Sequence, residues 1–350
     1  MAINPRSRIV IAGAGNIGCY VGARLALAGR HVTFLVRERL ADVISRYGLH
    51  LSDLDQNDTV IPPESLKLAV GAAAALAAAE VVLVTVKCRD TKEMAELIAR
   101  HAPQKLVVVS LQNGVDNVTV LGERLGRGRR VLAGMVPFNV VQTLGDGEAP
   151  RFHRASGGII QIGSGVEGLA DLLDVPGTPV AEHRDIGAVL WAKLLINLNN
   201  ALNALSDLPL AAELADRRWR LLLAKQMREG LSLLNAAGIR PARLEGVHPR
   251  LAAFALRLRN PLFKLLARRV LAVDPQARSS MWEDLQARRP TEIDYIQGEI
   301  VRLAKRFGLA APLNQRVMQL IKEAEQAARG SPSLSPETVA GGPASAYLRS

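Results

Sequence analysis

Arg8-Ile-Val-Ile-Ala-Gly-Ala-Gly-Asn-Ile-Gly18 decides the fold. Ile9 to Ala12 reads as a buried strand that runs straight into Gly13, Gly15 and Gly18, and Tyr20–Leu27 continues with helical periodicity. Strand, glycine turn and helix in that order are what a dinucleotide-binding βαβ unit needs. Gly13 permits the tight turn, Gly15 lets the backbone approach a pyrophosphate, and Gly18 lets the helix pack closely on the strand. The helix N-terminus then faces the phosphate charge. Gly13, Ala14, Gly15, Asn16, Ile17 and Gly18 are therefore the expected cofactor cradle. Glycine-rich turns are common; the strand before and the helix after lift this one above a bare structural turn.

The next strand, His31-Val-Thr-Phe-Leu-Val36, ends at Arg37. In NAD enzymes an acidic residue near this strand end accepts hydrogen bonds from the ribose hydroxyls, whereas a basic residue favours a 2′-phosphate. Arg37 holds that place, Arg39 follows, and Glu38 is the only nearby acid. The reading is NADP(H), weighed against a merely solvated arginine on a basic protein. Beyond an irregular Asp53–Pro63 stretch the alternation continues. A helix over Val70–Ala79 leads to the continuous apolar strand Val81–Val86, suited to a parallel sheet. Helix Thr91–Arg100 and strand Lys105–Ser110 follow, with further strands in Val131–Asn139 and Gly158–Gly163. Such alternation predicts a doubly wound sheet with ligands at the C-terminal ends of its strands. Lys87 directly follows one strand, and Asn113 follows another after Leu111-Gln112. Both fall on the rim where a nicotinamide projects, one offering a cation and the other a donor and an acceptor. The plainer readings are a loop lysine and an Asn-Gly turn.

From about Asp185 the pattern turns helical: Ile186–Leu205, Leu208–Ala237, stretches within Leu251–Val273, Ser279–Ala287, Thr291–Phe307 and Ala311–Gln326. Gly330–Ser350, rich in Ser, Pro and Gly, reads as disordered. The expected organisation is an α/β, Rossmann-type domain over 1–184, an all-α substrate and dimerisation domain over 185–327, and a disordered tail over 328–350. Within Ala188–Leu205, Lys193, Asn197 and Asn200 fall at i, i+4 and i+7, a polar stripe on a very apolar helix. Buried polar groups need partners, so the stripe is either a helix–helix hydrogen-bond seam or a site wall in which Lys193 supplies a proton. Farther on stand Ser279-Ser280-Met281 and Pro290-Thr291-Glu292. Pro290 and Glu292 suit a helix start by φ preference and dipole, so the latter motif alone is also readable as a cap.

Composition excludes several classes. At 350 residues the chain exceeds one ordinary domain. It offers no run of roughly 18 apolar residues for a membrane span and no signal-peptide core before the first strand. Cys19 and Cys88 have no spacing for a zinc site or a disulfide framework, which points to reduced thiols and a cytoplasmic location. The formal charge of +11 invites a nucleic-acid or anionic-membrane reading. With 4% aromatic residues and arginines dispersed along helices, attraction of anionic small ligands ranks above nucleic acid or membrane.

Taken together, these motifs resemble the ketopantoate reductases (2-dehydropantoate 2-reductases) of pantothenate synthesis, from about Arg8 to Glu325. The resemblance runs through the glycine turn, Val36-Arg37, Val84-Thr-Val-Lys87 and Leu111-Gln-Asn-Gly114. It continues through Trp191-Ala-Lys-Leu-Leu-Ile-Asn197, Ser279-Ser-Met281 and Thr291-Glu-Ile-Asp-Tyr295. It implies NADPH-dependent reduction of a 2-oxo acid, ketopantoate to (R)-pantoate, in a cleft between the domains. Lys193 would be the general acid, with Glu292 its partner at the substrate. Asn197, Asn200 and Ser280 would hold substrate, and Asn113 would sit between substrate and cofactor. Arg37, Lys87 and Glu292 would also face the cofactor. Two departures stand out. Ala201 occupies a position where the family commonly has a second asparagine, with Asn200 one place earlier, and the basic–apolar stretch His248–Asp274 is longer than in many members. Its arginines Arg250, Arg257, Arg259, Arg268 and Arg269 have almost no local acidic partners. The apolar run Leu251–Val273 fits a homodimer interface or a flap over the cleft. The competing functions are reduction of a different 2-oxo or hydroxy acid on the same scaffold, and a non-catalytic NADP-binding sensor.

Overall fold

The structure, a computed structural model, describes residues 3–143, 147–266 and 276–342. The chain divides into two compact units, Met1–Ile186 and Gly187–Ser350.

In the first unit twelve strands form two sheets: β1 Ile9–Ala12, β2 Val32–Leu35, β3 Leu49–Asp53, β4 Asp58–Ile61, β5 Lys67–Ala69, β6 Val81–Val84, β7 Val107–Ser110, β8 Arg130–Met135, β9 Val140–Thr143, β10 Arg151–Arg154, β11 Ile160–Gly163 and β12 Val180–His183. The large sheet runs β12-β11-β8-β7-β6-β1-β2-β5. It is parallel from β8 to β5, and β11 pairs antiparallel with β8. Its central strands β1, β6 and β7 are buried at every position, which is why they read as unbroken apolar runs. The chain moves from β1 outward to β2 and β5, then returns to β6 on the other side of β1. The order therefore reverses between β1 and β6, the place where such sheets hold ligands.

The stretch read as irregular, Asp53–Pro63, is ordered instead. Leu49–Asp53 and Asp58–Ile61 form a hairpin, joined through β10 and β9 into a second sheet, β4-β3-β10-β9. Leu49, Leu51 and Ile61 bury themselves fully, and the Asp53 carboxylate closes the polar turn by accepting N–H bonds from Asp55 and Asn57. Asp53 also pairs at 2.8 Å with the buried Arg24 of the Asn16–Leu27 helix. Burial pushes this carboxyl up, but the Asn57 hydrogen bonds and then Arg24 outweigh it and hold the group below its usual range.

The second unit is all-helical among the described residues, and three expected helices are interrupted. Ile186–Leu205 breaks at Leu198, whose carbonyl accepts from the buried Gln297 Nε2 at 2.9 Å, giving helices Ile186–Asn197 and Asn199–Ser206. Leu208–Ala237 breaks at Asp216, whose side chain caps the Arg217–Ala236 helix through Arg218 N–H. Thr291–Phe307 opens with a 3-10 turn, Ile293–Tyr295, and becomes α-helical only at Gln297. Leu251–Val273 forms Pro249–Ala255 and Asn260–Leu266, joined by a turn over 256–259; its residues 267–273, with Arg268 and Arg269, lie outside the described residues. The expected disordered tail is overturned over 328–342. Ser331 Oγ donates to the Ala204 carbonyl and Leu334 N–H to that of Leu205. Ser335 caps the Pro336–Ala340 helix, which buries Val339 and Ala340. Proline and serine here are a helix start rather than a sign of disorder. Residues 343–350 of the expected tail lie outside the described residues.

Candidate active site

The glycine turn follows β1 at the reversal of strand order. Gly13 has φ +115°, and a Cβ there would meet Val86 at 2.7 Å. A Cβ on Gly18 would stand 2.1 Å from the Gly13 carbonyl oxygen and 2.6 Å from Thr85 Oγ1. The helix can lie this close to the strand only with glycine there. Thr85 fixes the arrangement, donating its hydroxyl to the Gly13 carbonyl at 2.5 Å. Gly15 differs: a Cβ there meets nothing within 4 Å, and no side chain caps the helix it begins. The opening faces a helix N-terminus, so the residues present fit a pyrophosphate held by backbone N–H groups. Asn16 Nδ2 donates to the Val140 carbonyl at 2.9 Å, tying the turn to β9, and Ala14 and Ile17 pack on the core.

Around this turn stand the other sequence candidates of the first unit. Arg37 is exposed, two residues past β2, at the N-cap of the Glu38–Tyr47 helix. Lys87 is half-buried just beyond β6, and Asn113 half-buried just beyond β7. A buried network frames both. Ser110 Oγ donates to Gln112 Oε1, and Gln112 Nε2 donates to the Val86 carbonyl and to Thr91 Oγ1. Thr91 donates to Asn117, whose Nδ2 donates to the Asn113 carbonyl at 2.6 Å; the Cys88 thiol donates to that carbonyl as well. The two strand ends are thus stitched together by side chains, and the loops bearing Lys87 and Asn113 are held in place.

In the second unit the Lys193 stripe, Ser280 and Glu292 are drawn into one frame. Lys193 is half-buried and Asn197 buried on the same helix, with Asn200 half-buried beyond the Leu198 break. Burial pulls the Lys193 ammonium down to about 8, and the Glu245 carboxylate works in the opposite direction. Ala201, at the position of the family's second asparagine, is fully buried. Gln297, just after Glu292, is the residue that grips Leu198, so the segment carrying Glu292 is fastened to the end of the Lys193 helix. Glu292 is buried and makes no capping bond; Ile293 N–H is taken by Thr291 Oγ1 instead, which removes the cap reading of this carboxylate. Thr291 N–H in turn donates to Glu325 at 2.6 Å. Ser280, exposed, opens the Ser280–Gln286 helix, and Ser279 is its N-cap.

Three neighbours of the candidate site escaped the sequence reading. Asn203 Oδ1 accepts from Ser279 N–H at 2.8 Å, while Asn203 Nδ2 donates to Glu213 at 2.7 Å and to the Leu208 carbonyl at 2.9 Å. With Ser279 Oγ donating to the Asn200 carbonyl at 2.9 Å, this clamps the helix start bearing Ser280 to the asparagine-rich helix. Burial pushes the Glu213 carboxyl up to about 8, against the bonds from Asn203 and Asn199. Asn203 belongs to the same asparagine run as the stripe, a signal that was available. Glu213 and Glu245 sit in ordinary-looking contexts and carried none.

Comparison with known proteins bears on family and fold. The model of ketopantoate reductase PanE/ApbA matches residues 9–167, and that of its C-terminal domain residues 185–325. The 2-dehydropantoate 2-reductase of Archaeoglobus fulgidus is 26% identical over 323 residues, 91% of this chain and 98% of that one. The crystal structure of a ketopantoate reductase from Ralstonia eutropha JMP134 superposes with a TM-score of 0.76 at 26% identity, covering 92% and 99%. A D-mandelate dehydrogenase, solved with NADH and anilino(oxo)acetate, shares the fold with a TM-score of 0.74 at 20% identity, covering 92% and 99%. With both family models matched in order along most of its length, the chain belongs to the ketopantoate reductase PanE/ApbA family, oxidoreductases acting on CH–OH.

Proposed function

We propose that the protein reduces 2-dehydropantoate (ketopantoate) to (R)-pantoate with NADPH. The observation that carries this reading is Lys193: a half-buried lysine on an apolar helix, its ammonium pulled down to about 8. When bound, a nicotinamide cofactor would supply the hydride for the keto carbon. Its binding is supported by the Gly13–Gly18 turn, and the preference for a 2′-phosphate by Arg37 at the β2 end. The relative shared at the level of fold was solved with NADH, so Arg37 is the residue on which the NADP(H) assignment rests here.

Negative charge gathers on the substrate oxygen as the carbonyl is reduced. The Lys193 ammonium stabilises that charge and donates its Nζ proton to the oxygen. Glu292 assists at the substrate, and Asn113 and Lys87 border the cofactor. Asn197, Asn200 and Ser280 hold the rest of a small 2-oxo acid, Ser280 offering its hydroxyl to the carboxylate. A cytoplasmic setting belongs to the same reading, supported by two buried cysteines that form no disulfide. So does a homodimer, supported by Leu262, Leu265 and Leu266, all exposed on one short helix. Among the described residues no helix is long and apolar enough to cross a membrane.

The direct test is an NADPH-oxidation screen over 2-oxo acids with ketopantoate included, repeated with NADH. The expected result is highest kcat/KM for ketopantoate with NADPH. A higher value for another 2-oxo acid reassigns the substrate, equal or better efficiency with NADH removes the NADP(H) assignment, and no turnover with any acid favours the sensor reading.

A further inference from the structure

The proposed reduction leaves the basic–apolar stretch after His248 unused, and two helix faces meet there. On the Arg217–Ala236 helix Arg228, Leu231 and Asn235 fall at i, i+3 and i+7 and share a face. Across from them Arg250, Phe254 and Arg257 repeat the pattern at i, i+4 and i+7 on Pro249–Ala255 and the turn after it. Together they line a groove of about 430 Å³, a size within the roughly 300–1,000 Å³ of small-molecule sites. Leu231 and Ala253 are its buried floor, and Phe254, 57% exposed, stands at its side.

The polar chemistry of the groove is one-sided. Its lining holds three guanidinium groups and no carboxylate. None of the three forms an ion pair with a described residue, and Arg257 Nε is buried without a hydrogen-bond partner among them. With no carboxylate in the lining to neutralise them, the three guanidinium groups give the groove a positive field that suits an anion arriving from outside. Its walls are anchored. Arg220, fully buried, donates to the carbonyls of Leu256 and Leu258 and to Asn260 Oδ1, holding the second wall against the long helix.

We infer that this groove binds a small amphiphilic anion. A phosphate or carboxylate head is held by Arg228, Arg250 and Arg257, and a short apolar tail lies on Leu231, Ala253 and Phe254. A second copy of a chain with net charge +11 offers these arginines a poor complement.

The test is calorimetric titration of the full chain with octyl phosphate and octanoate below their micelle concentrations, beside inorganic phosphate and octanol. Single-site binding is expected for at least one amphiphile, weakened by salt, and the tighter of the two identifies the head group. Inorganic phosphate and octanol, each offering only half the chemistry, bind at least about tenfold more weakly. Arg250→Gln weakens the amphiphile by about tenfold, and Phe254→Ala by about fivefold. Both side chains are exposed, so both variants should melt like the parent, whereas Arg257→Gln carries a risk to folding. The inference is overturned if neither amphiphile binds, or if both variants bind as tightly as the parent. It is also overturned if sedimentation shows self-association that these variants abolish while no amphiphile binds. The readout is binding, so it succeeds or fails independently of ketopantoate turnover.

Discussion

The glycine turn and the Lys193 frame are both built for close approach, but by opposite means. The turn is local: a handful of consecutive residues, with the absent Cβ of Gly18 as the critical feature. The frame is assembled from afar, through side chains that grip backbone groups of distant segments: Gln297 on Leu198, Asn203 on Ser279, Glu325 on Thr291. The first therefore breaks by adding an atom and the second by removing one.

The largest structural effect is expected at the turn. Gly18→Ala places a methyl 2.1 Å from a backbone oxygen that cannot swing away, and should cost roughly 3 kcal/mol. Gly15→Ala, with open space around its Cβ, should leave the melting temperature within a degree or so while weakening NADPH affinity. Equal melting losses for the two would mean that the turn is not shaped as described.

In the frame, Asn203→Ala strands Ser279 N–H and the Glu213 carboxyl together and should cost about 2 kcal/mol in denaturant unfolding. Loss of activity should exceed loss of folded protein, because Ser280 leaves its place. Activity that simply tracks the folded fraction would reduce Asn203 to a core residue.

A smaller effect, of opposite sign, is expected at Glu213. Unfolded, this carboxyl ionises near its ordinary value of about 4.3; folded, it does so at about 8. Between those values the folded state holds a proton that the unfolded state has released, so stability falls as pH rises from about 4.5 to about 8 and is level above. Glu213→Gln should flatten that decline and melt a few degrees higher at pH 8. Parallel melting profiles from pH 5 to 8 for parent and variant would contradict it.

The same contrast explains what was legible in the sequence. The turn, Arg37, Lys87 and Asn113 follow from strands that announce themselves by apolar runs and end where polar residues begin. The strands β1, β6 and β7 needed nothing more to be recognised, though their order in the sheet came from the structure. The second sheet was not legible, because β3 finds its partner β10 about a hundred residues away and its own short strands carry little pattern. Nor were the helix breaks: Leu198 is an ordinary leucine whose carbonyl is claimed by Gln297. Lys193 and its asparagines could be singled out as costly polar groups in an apolar helix. Glu245 could not be, since only the fold brings its charge to bear on Lys193. The tail shows the converse error, in which Ser335-Pro336 was a helix start and composition alone concealed it.

The central claim, that Lys193 is the proton donor, is tested most directly by the pH profile of kcat/KM for the parent and Lys193→Ala, measured beside melting temperature and NADPH affinity. On that claim the acid form of Lys193 is required, and burial pulls its ammonium down to about 8. The parent should therefore hold its rate below that pH and lose about tenfold per unit above it. Lys193→Ala should melt and bind NADPH as the parent does, turn over roughly two to four orders of magnitude more slowly, and lack the limb near 8. A folded Lys193→Ala protein that turns over at near the parent's rate, or keeps the same limb, would contradict the account.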